Sequence, residues 1–65
     1  MNLSLAIEDT KKALSRARAA RTTLTELSLT AEHRALVVAL QNVIEALEVE
    51  LRSLRYQLRH PEVTA

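Results

Sequence analysis

Glycine, cysteine, phenylalanine and tryptophan are absent from these 65 residues, and proline, tyrosine and methionine each occur once. No cysteine means no disulfide framework and no thiolate metal site. The single aromatic residue, Tyr56, is too little for an ordinary sheet or a large globular core. The longest apolar run covers only residues 35–40, far short of the roughly 20 that a membrane span needs. Glu8 and Asp9 interrupt the N-terminal region before any apolar stretch develops, so no signal peptide is expected and the chain reads as cytoplasmic. A formal net charge of +1 creates no global field that would announce a nucleic-acid partner.

What remains is dominated by Ala, Leu, Glu, Arg, Lys and Gln, the residues that lose least on entering a helix. With Pro61 as the only proline and no glycine, little breaks a helix before the last few residues. The spacing predicts a first helix over about residues 3–27, capped by Asn2 or Ser4, with Glu8 and Asp9 placed early where the macrodipole favours anions. Its apolar stripe is Leu3, Ala6/Ile7, Thr10, Ala13/Leu14, Ala17, Ala20, Leu24 and Leu27, small enough in the middle for close approach of another helix. Four Thr and one Ser between positions 22 and 30 favour caps and turns, which puts a turn at about 28–30. Thr30 is a suitable N-cap for a second helix over about 31–59, with Glu32 in its first turn and Pro61 ending it. Residues 60–65 are expected to form a frayed tail. The alternative is one unbroken helix of some 55 residues, about 80 Å long.

The main stripe of the second helix reads Leu36, Leu40, Val43, Leu47, Leu51, Leu54, Leu58, with steps averaging about 3.67 residues, closer to a straight helix than to a strict heptad. Together with Val37, Val38, Ile44, Val49 and Tyr56 it makes the helix apolar on more than one side. In a lone hairpin Val38, Ile44, Val49 and Tyr56 would face water. The expected architecture is therefore all-α: an antiparallel two-helix hairpin, one domain, that dimerises into a four-helix bundle. Leu14, Ala17, Leu24, Leu36, Leu40, Val43, Ile44, Leu47, Leu51, Leu54 and Leu58 are the expected core and dimer residues. A turn centred near Leu29 would set Lys11 and Lys12 beside Glu45, Glu48 and Glu50, and Glu8 and Asp9 beside Arg52 and Arg55.

Two constellations could carry binding. Lys11, Lys12, Arg16, Arg18 and Arg21 lie within eleven residues without an intervening acid. Their wheel positions scatter, so a solvated or intersubunit face is the first reading and an anion-binding patch the second. Arg16, Arg18 and Arg21, left without an acidic neighbour in the expected hairpin, are the candidates to test. Val38, Val49 and Tyr56 form the other candidate surface, either for a partner protein or for the dimer interface. His33 and His60 are separated by 26 intervening residues, near opposite ends of the second helix, and read as helix-end residues, not as a metal site. Glu45, Glu48 and Glu50 have no nucleophile or His beside them and read as salt-bridging acids. No enzyme activity, cofactor or metal is expected.

In size and layout the chain resembles the small plasmid-encoded Rop family of antiparallel hairpins, and the likeness is one of architecture across the whole chain. That resemblance implies a dimeric four-helix bundle and binding to paired RNA loops. No motif residue carries over, and the aromatic residue of that family's RNA face has no counterpart here. Small helical proteins of this design are also common in phage genomes, where they bind and disable host factors. The first functional expectation is a homodimer that acts by binding another, unidentified protein, as regulator, antagonist or adaptor. A nucleic-acid-binding regulator is the second, and a purely structural coiled-coil segment the third.

Overall fold

The computed structural model describes residues 2–27 and 30–64, with nothing stated of the side chains of Val63 and Thr64. It contains α1 (Leu3–Glu26), α2 (Ala31–Arg59) and a short α3 (Pro61–Thr64). Helices α1 and α2 pack against each other as a rod of 49 × 15 × 14 Å. That length belongs to a hairpin and excludes a single helix of about 80 Å.

Side-chain caps start both helices. The Leu5 N–H donates to Asn2 Oδ1 at 3.1 Å, and the His33 N–H donates to Thr30 Oγ1 at 3.1 Å. The threonine-rich end of α1 stays helical to Glu26 although its composition predicts a weakening. Thr22, Thr23 and Thr25 turn their hydroxyls back onto the carbonyls of Arg18, Ala19 and Arg21, which satisfies them inside the helix. Leu27 then takes an extended backbone (ψ 168°), as does Thr30 (ψ 164°), so the expected break is present. Of the expected turn residues, Ser28 and Leu29 lie outside the described residues.

The residues that α1 buries or half-buries are Leu3, Ile7, Thr10, Leu14, Ala17, Arg21 and Leu24, flanked by Ala6 and Ala13. Those of α2 along the seam are Val37, Leu40, Ile44, Leu47, Leu51 and Leu54, flanked by Gln41 and Glu48, with His33 and Gln57 half-buried towards its two ends. Both series alternate steps of three and four, an average of 3.5, the period of a coiled-coil seam. In heptad notation Ile7, Leu14, Arg21, Val37, Ile44 and Leu51 are a positions. Leu3, Thr10, Ala17, Leu24, Leu40, Leu47 and Leu54 are d positions.

This seam corrects the stripe expected for α2. Val37 and Ile44 replace Leu36 and Val43, which turns the helix by about one residue and converts a mean step of about 3.67 into a regular heptad. Ile44, expected to face water in a lone hairpin, is the deepest side chain among the described residues, 2% exposed. Leu36, Val43 and Leu58 lie about half exposed instead, outside the core of the hairpin. The expected core members Leu14, Ala17, Leu51 and Leu54 are buried, and Leu24, Leu40 and Leu47 are half-buried. On α1, Ala20 and Leu27 are exposed where the expected stripe had them inward, and Arg21 takes the place of Ala20.

The register also differs from a turn centred on Leu29. Cross-helix contacts join Arg21 to Gln41 and Arg18 to Glu48, so facing positions add to between 62 and 66 instead of about 58. Leu27 and Thr30 have extended backbone, and the first turns of α2 overhang the end of α1. Accordingly Ala31, Glu32, Arg34, Ala35 and Leu36 are exposed. At the other end the chain continues beyond α2 into α3. The helix α2 stops at Arg59, the His60 ring stacks on Tyr56 (centroids 4.3 Å apart), and His60 Nδ1 lies 3.2 Å from Glu62 Oε1. Pro61 opens α3, where its missing N–H has no cost.

Since Ile44 has neighbours on every side and Val49 is 57% exposed, the two positions should respond very differently to truncation. Ile44→Ala should cost about 2–5 kcal/mol in urea unfolding, enough to unfold so small a core. Val49→Ala should stay within about 0.5 kcal/mol.

Candidate functional site

A heptad seam between antiparallel helices leaves two unlike flanks. The e positions of both helices share one side and the g positions share the other. Contacts establish the e side directly: Lys11, Arg18, Glu48 and Arg55 all occupy e and line one open groove of about 570 Å³. Leu14 and Leu51 make its floor, and Ser15 and Arg52 complete its walls. Four cations here face one carboxylate. The Arg18 guanidinium lies 3.7 Å from the Glu48 carboxylate, and the Lys11 ammonium lies 3.4 Å from Glu8 on its own helix. Both pairs are about half exposed, so each contributes between nothing and about 1 kcal/mol. Among the described residues, Arg52 and Arg55 take part in no ion pair.

The opposite flank is apolar. Its g positions are Ala6, Ala13, Ala20 and Leu27 on α1 and Leu36, Val43, Glu50 and Gln57 on α2. With the register above, Leu27 stands level with Leu36 and Ala20 level with Val43, and the exposed Ala39 and Ala46 extend the patch over α2. The polar members Glu50 and Gln57 lie at the far end, level with Ala13 and Ala6. Apolar surface is thus concentrated on the half of the rod nearest the turn. Leu27 and Leu36 are both 51% exposed there.

The three arginines singled out in the sequence do not form one surface. Arg18 lies in the groove, paired with Glu48, although no acidic neighbour was expected for it. Arg21 is half-buried in the seam, where its Nη1 donates to Gln41 Oε1, and Gln41 Nε2 donates in turn to Glu45 Oε1 at 3.3 Å. Arg16, a c position, is exposed on the apolar flank's edge. The expected pairings of Lys11 and Lys12 with Glu45, Glu48 and Glu50, and of Glu8 and Asp9 with Arg52 and Arg55, are replaced by these contacts. Lys11 and Arg18 belong to the basic cluster read from the sequence, whereas Arg52 and Arg55 were not read as part of a binding surface. The spacing of seven between Glu48 and Arg55, matching that of Lys11 and Arg18, was the signal for Arg55, legible only once the seam positions are known.

Val38, Val49 and Tyr56 line the back of α2, away from α1, all about half or more exposed. Tyr56 is held by its stacking on His60, which gives that end of the surface a fixed shape. Among the described residues no group of three or more His, Cys, Asp or Glu is placed to hold a metal ion. Glu48 is engaged by Arg18 and Glu45 by Gln41, while Glu50 lies on the opposite flank. Among the described residues no helix is long and apolar enough to cross a membrane. Comparison with protein-family models, curated proteins and solved structures finds no match to this chain.

The Arg18–Glu48 pair should behave as a weak, screened bridge. A double-mutant cycle with Arg18→Ala and Glu48→Ala should give a coupling of about 0.2–1 kcal/mol at low salt, shrinking towards zero in 1 M salt. A coupling that persisted unscreened would show that the pair is more buried than its half-exposed side chains indicate.

Proposed function

We propose that the protein is a non-enzymatic interaction module that works as a homodimer and acts by binding another protein. The observation that carries this reading is the apolar flank of Leu27, Leu36 and Val43, set among the exposed alanines 20, 39 and 46. Scattered exposed apolar residues are ordinary, but a contiguous patch beside so small a core needs covering. Only six hydrophobic side chains of the described residues are buried in the single chain. A core of that size rarely supplies more than about 3–5 kcal/mol. A second copy packed on the same flank adds to it, and the alanines let helices of the two hairpins approach closely. This gives the four-helix bundle its physical motive.

With the apolar flank used for self-association, the back of α2 stays available. Val38, Val49 and Tyr56 then offer the partner-binding surface, Tyr56 as a large amphipathic anchor and the valines as stiff apolar contacts. Regulator, antagonist or adaptor roles all fit this layout, as does an origin in a phage or plasmid. The charged flank supports a different activity.

Sedimentation equilibrium with melting curves tests the dimer. The expected result is a particle of twice 7.3 kDa whose melting temperature rises with protein concentration. Leu36→Glu, at a position half exposed in the hairpin, should produce a monomer with a lowered, concentration-independent melting temperature. A well-folded 7.3 kDa particle at low micromolar concentration would overturn the reading.

A further inference from the structure

We propose that the e-side groove binds the phosphodiester backbone of duplex nucleic acid. The inference is independent of self-association, because one hairpin holds every residue it needs. It also moves the anion-binding surface away from Arg16, Arg18 and Arg21, of which only Arg18 belongs to the groove.

The charge argument comes first. Lys11, Arg18, Arg52 and Arg55 converge on one groove of a chain whose formal net charge is only +1. Glu48 is the single acid in the lining and engages Arg18, Lys11 pairs with Glu8 just outside it, and Arg52 and Arg55 remain without an ion pair among the described residues. Bringing like charges together has an electrostatic cost, which an anionic ligand would relieve. Three of the four cations are guanidiniums, whose planar forks match phosphate oxygens in pairs. Geometry agrees. Lys11 and Arg18 are two helical turns apart, about 10 Å along the axis, which spans about three base steps at 3.4 Å each. Ser15, between them on the same wall, adds a hydroxyl of the kind that commonly contacts phosphates.

The lining also separates the classes of polyanion. A protein partner needs an apolar or aromatic anchor that it can bury. The apolar floor of this groove, Leu14 and Leu51, is already buried in the hairpin. A splayed single strand needs aromatic platforms for its bases, and no aromatic residue lines the groove. Backbone contact with a duplex requires only the charges, and carries no sequence preference.

Fluorescence anisotropy with a labelled 20-base-pair DNA duplex, the matching RNA duplex and the single strand provides the test. We expect duplex binding in 50 mM salt that weakens about 40- to 150-fold at 200 mM, as three to four phosphate contacts per hairpin dictate. Arg52→Gln with Arg55→Gln should lower the slope of log affinity against log salt by about 2. Lys12→Gln, outside the groove, should leave it unchanged, and circular dichroism should show both variants folded. If the double variant unfolds, Lys11→Gln serves instead, with a slope change of about 1. Absence of duplex binding at 50 mM, equal losses in the Lys12 variant, preference for the single strand, or displacement by polyglutamate at equal charge concentration would each overturn the proposal.

Discussion

Every feature of this molecule is arranged around the packing of Ile44 and its heptad neighbours between two antiparallel helices. Among the described residues Ile44 is the side chain most completely excluded from solvent. Around it Ile7, Leu14 and Ala17 of α1 and Leu51 and Leu54 of α2 close a single narrow seam. Two helices can share only one such seam, so the rest of each circumference stays outside. Burial at about 25 cal/mol per Å² has to come from a strip two side chains wide. The chain therefore has little stability to spare within one copy, and much surface left over for other contacts.

The seam tolerates polar residues where it can satisfy them. Thr10 occupies a d position and returns its hydroxyl to the Ala6 carbonyl at 2.8 Å. Arg21 occupies an a position, half-buried, and its guanidinium crosses to Gln41. Among the described residues no buried side-chain nitrogen or oxygen lacks a partner. Polar groups within an otherwise apolar seam discriminate between registers, since a slip would strand them. The Arg21–Gln41–Glu45 relay fits that role, and it lies in the half of the rod nearest the turn, where the register is established.

From the seam follows the division of labour between flanks. Heptad geometry sends the e positions of both helices to one side and the g positions to the other. Cations occupy e at Lys11, Arg18 and Arg55, while alanines occupy g at positions 6, 13 and 20. Neither flank is visible as a block in the chain, because the residues that form it are seven apart and come from both helices. A short hairpin can thereby present a charged groove, an apolar strip and the Val38/Val49/Tyr56 surface without any of them interfering with the fold.

Local chemistry made much of this legible before any coordinates. The absence of glycine, the caps at Asn2 and Thr30, and the threonine cluster ahead of Thr30 were enough for two helices and a break, because capping and propensity act within a few residues. The back surface of Val38, Val49 and Tyr56 was legible for the same reason. Rotation and register were not. Leu36-Val37-Val38 and Val43-Ile44 are runs of adjacent apolar residues, so two helical faces about 100° apart are nearly equal in hydrophobicity, and only contact with α1 selects Val37 and Ile44. The cross-helix partners, Arg21 with Gln41 and Arg18 with Glu48, depended equally on how α2 is set against α1. Which face is buried, and which charges meet, are properties of the pair of helices, and no single stretch of the chain contains them.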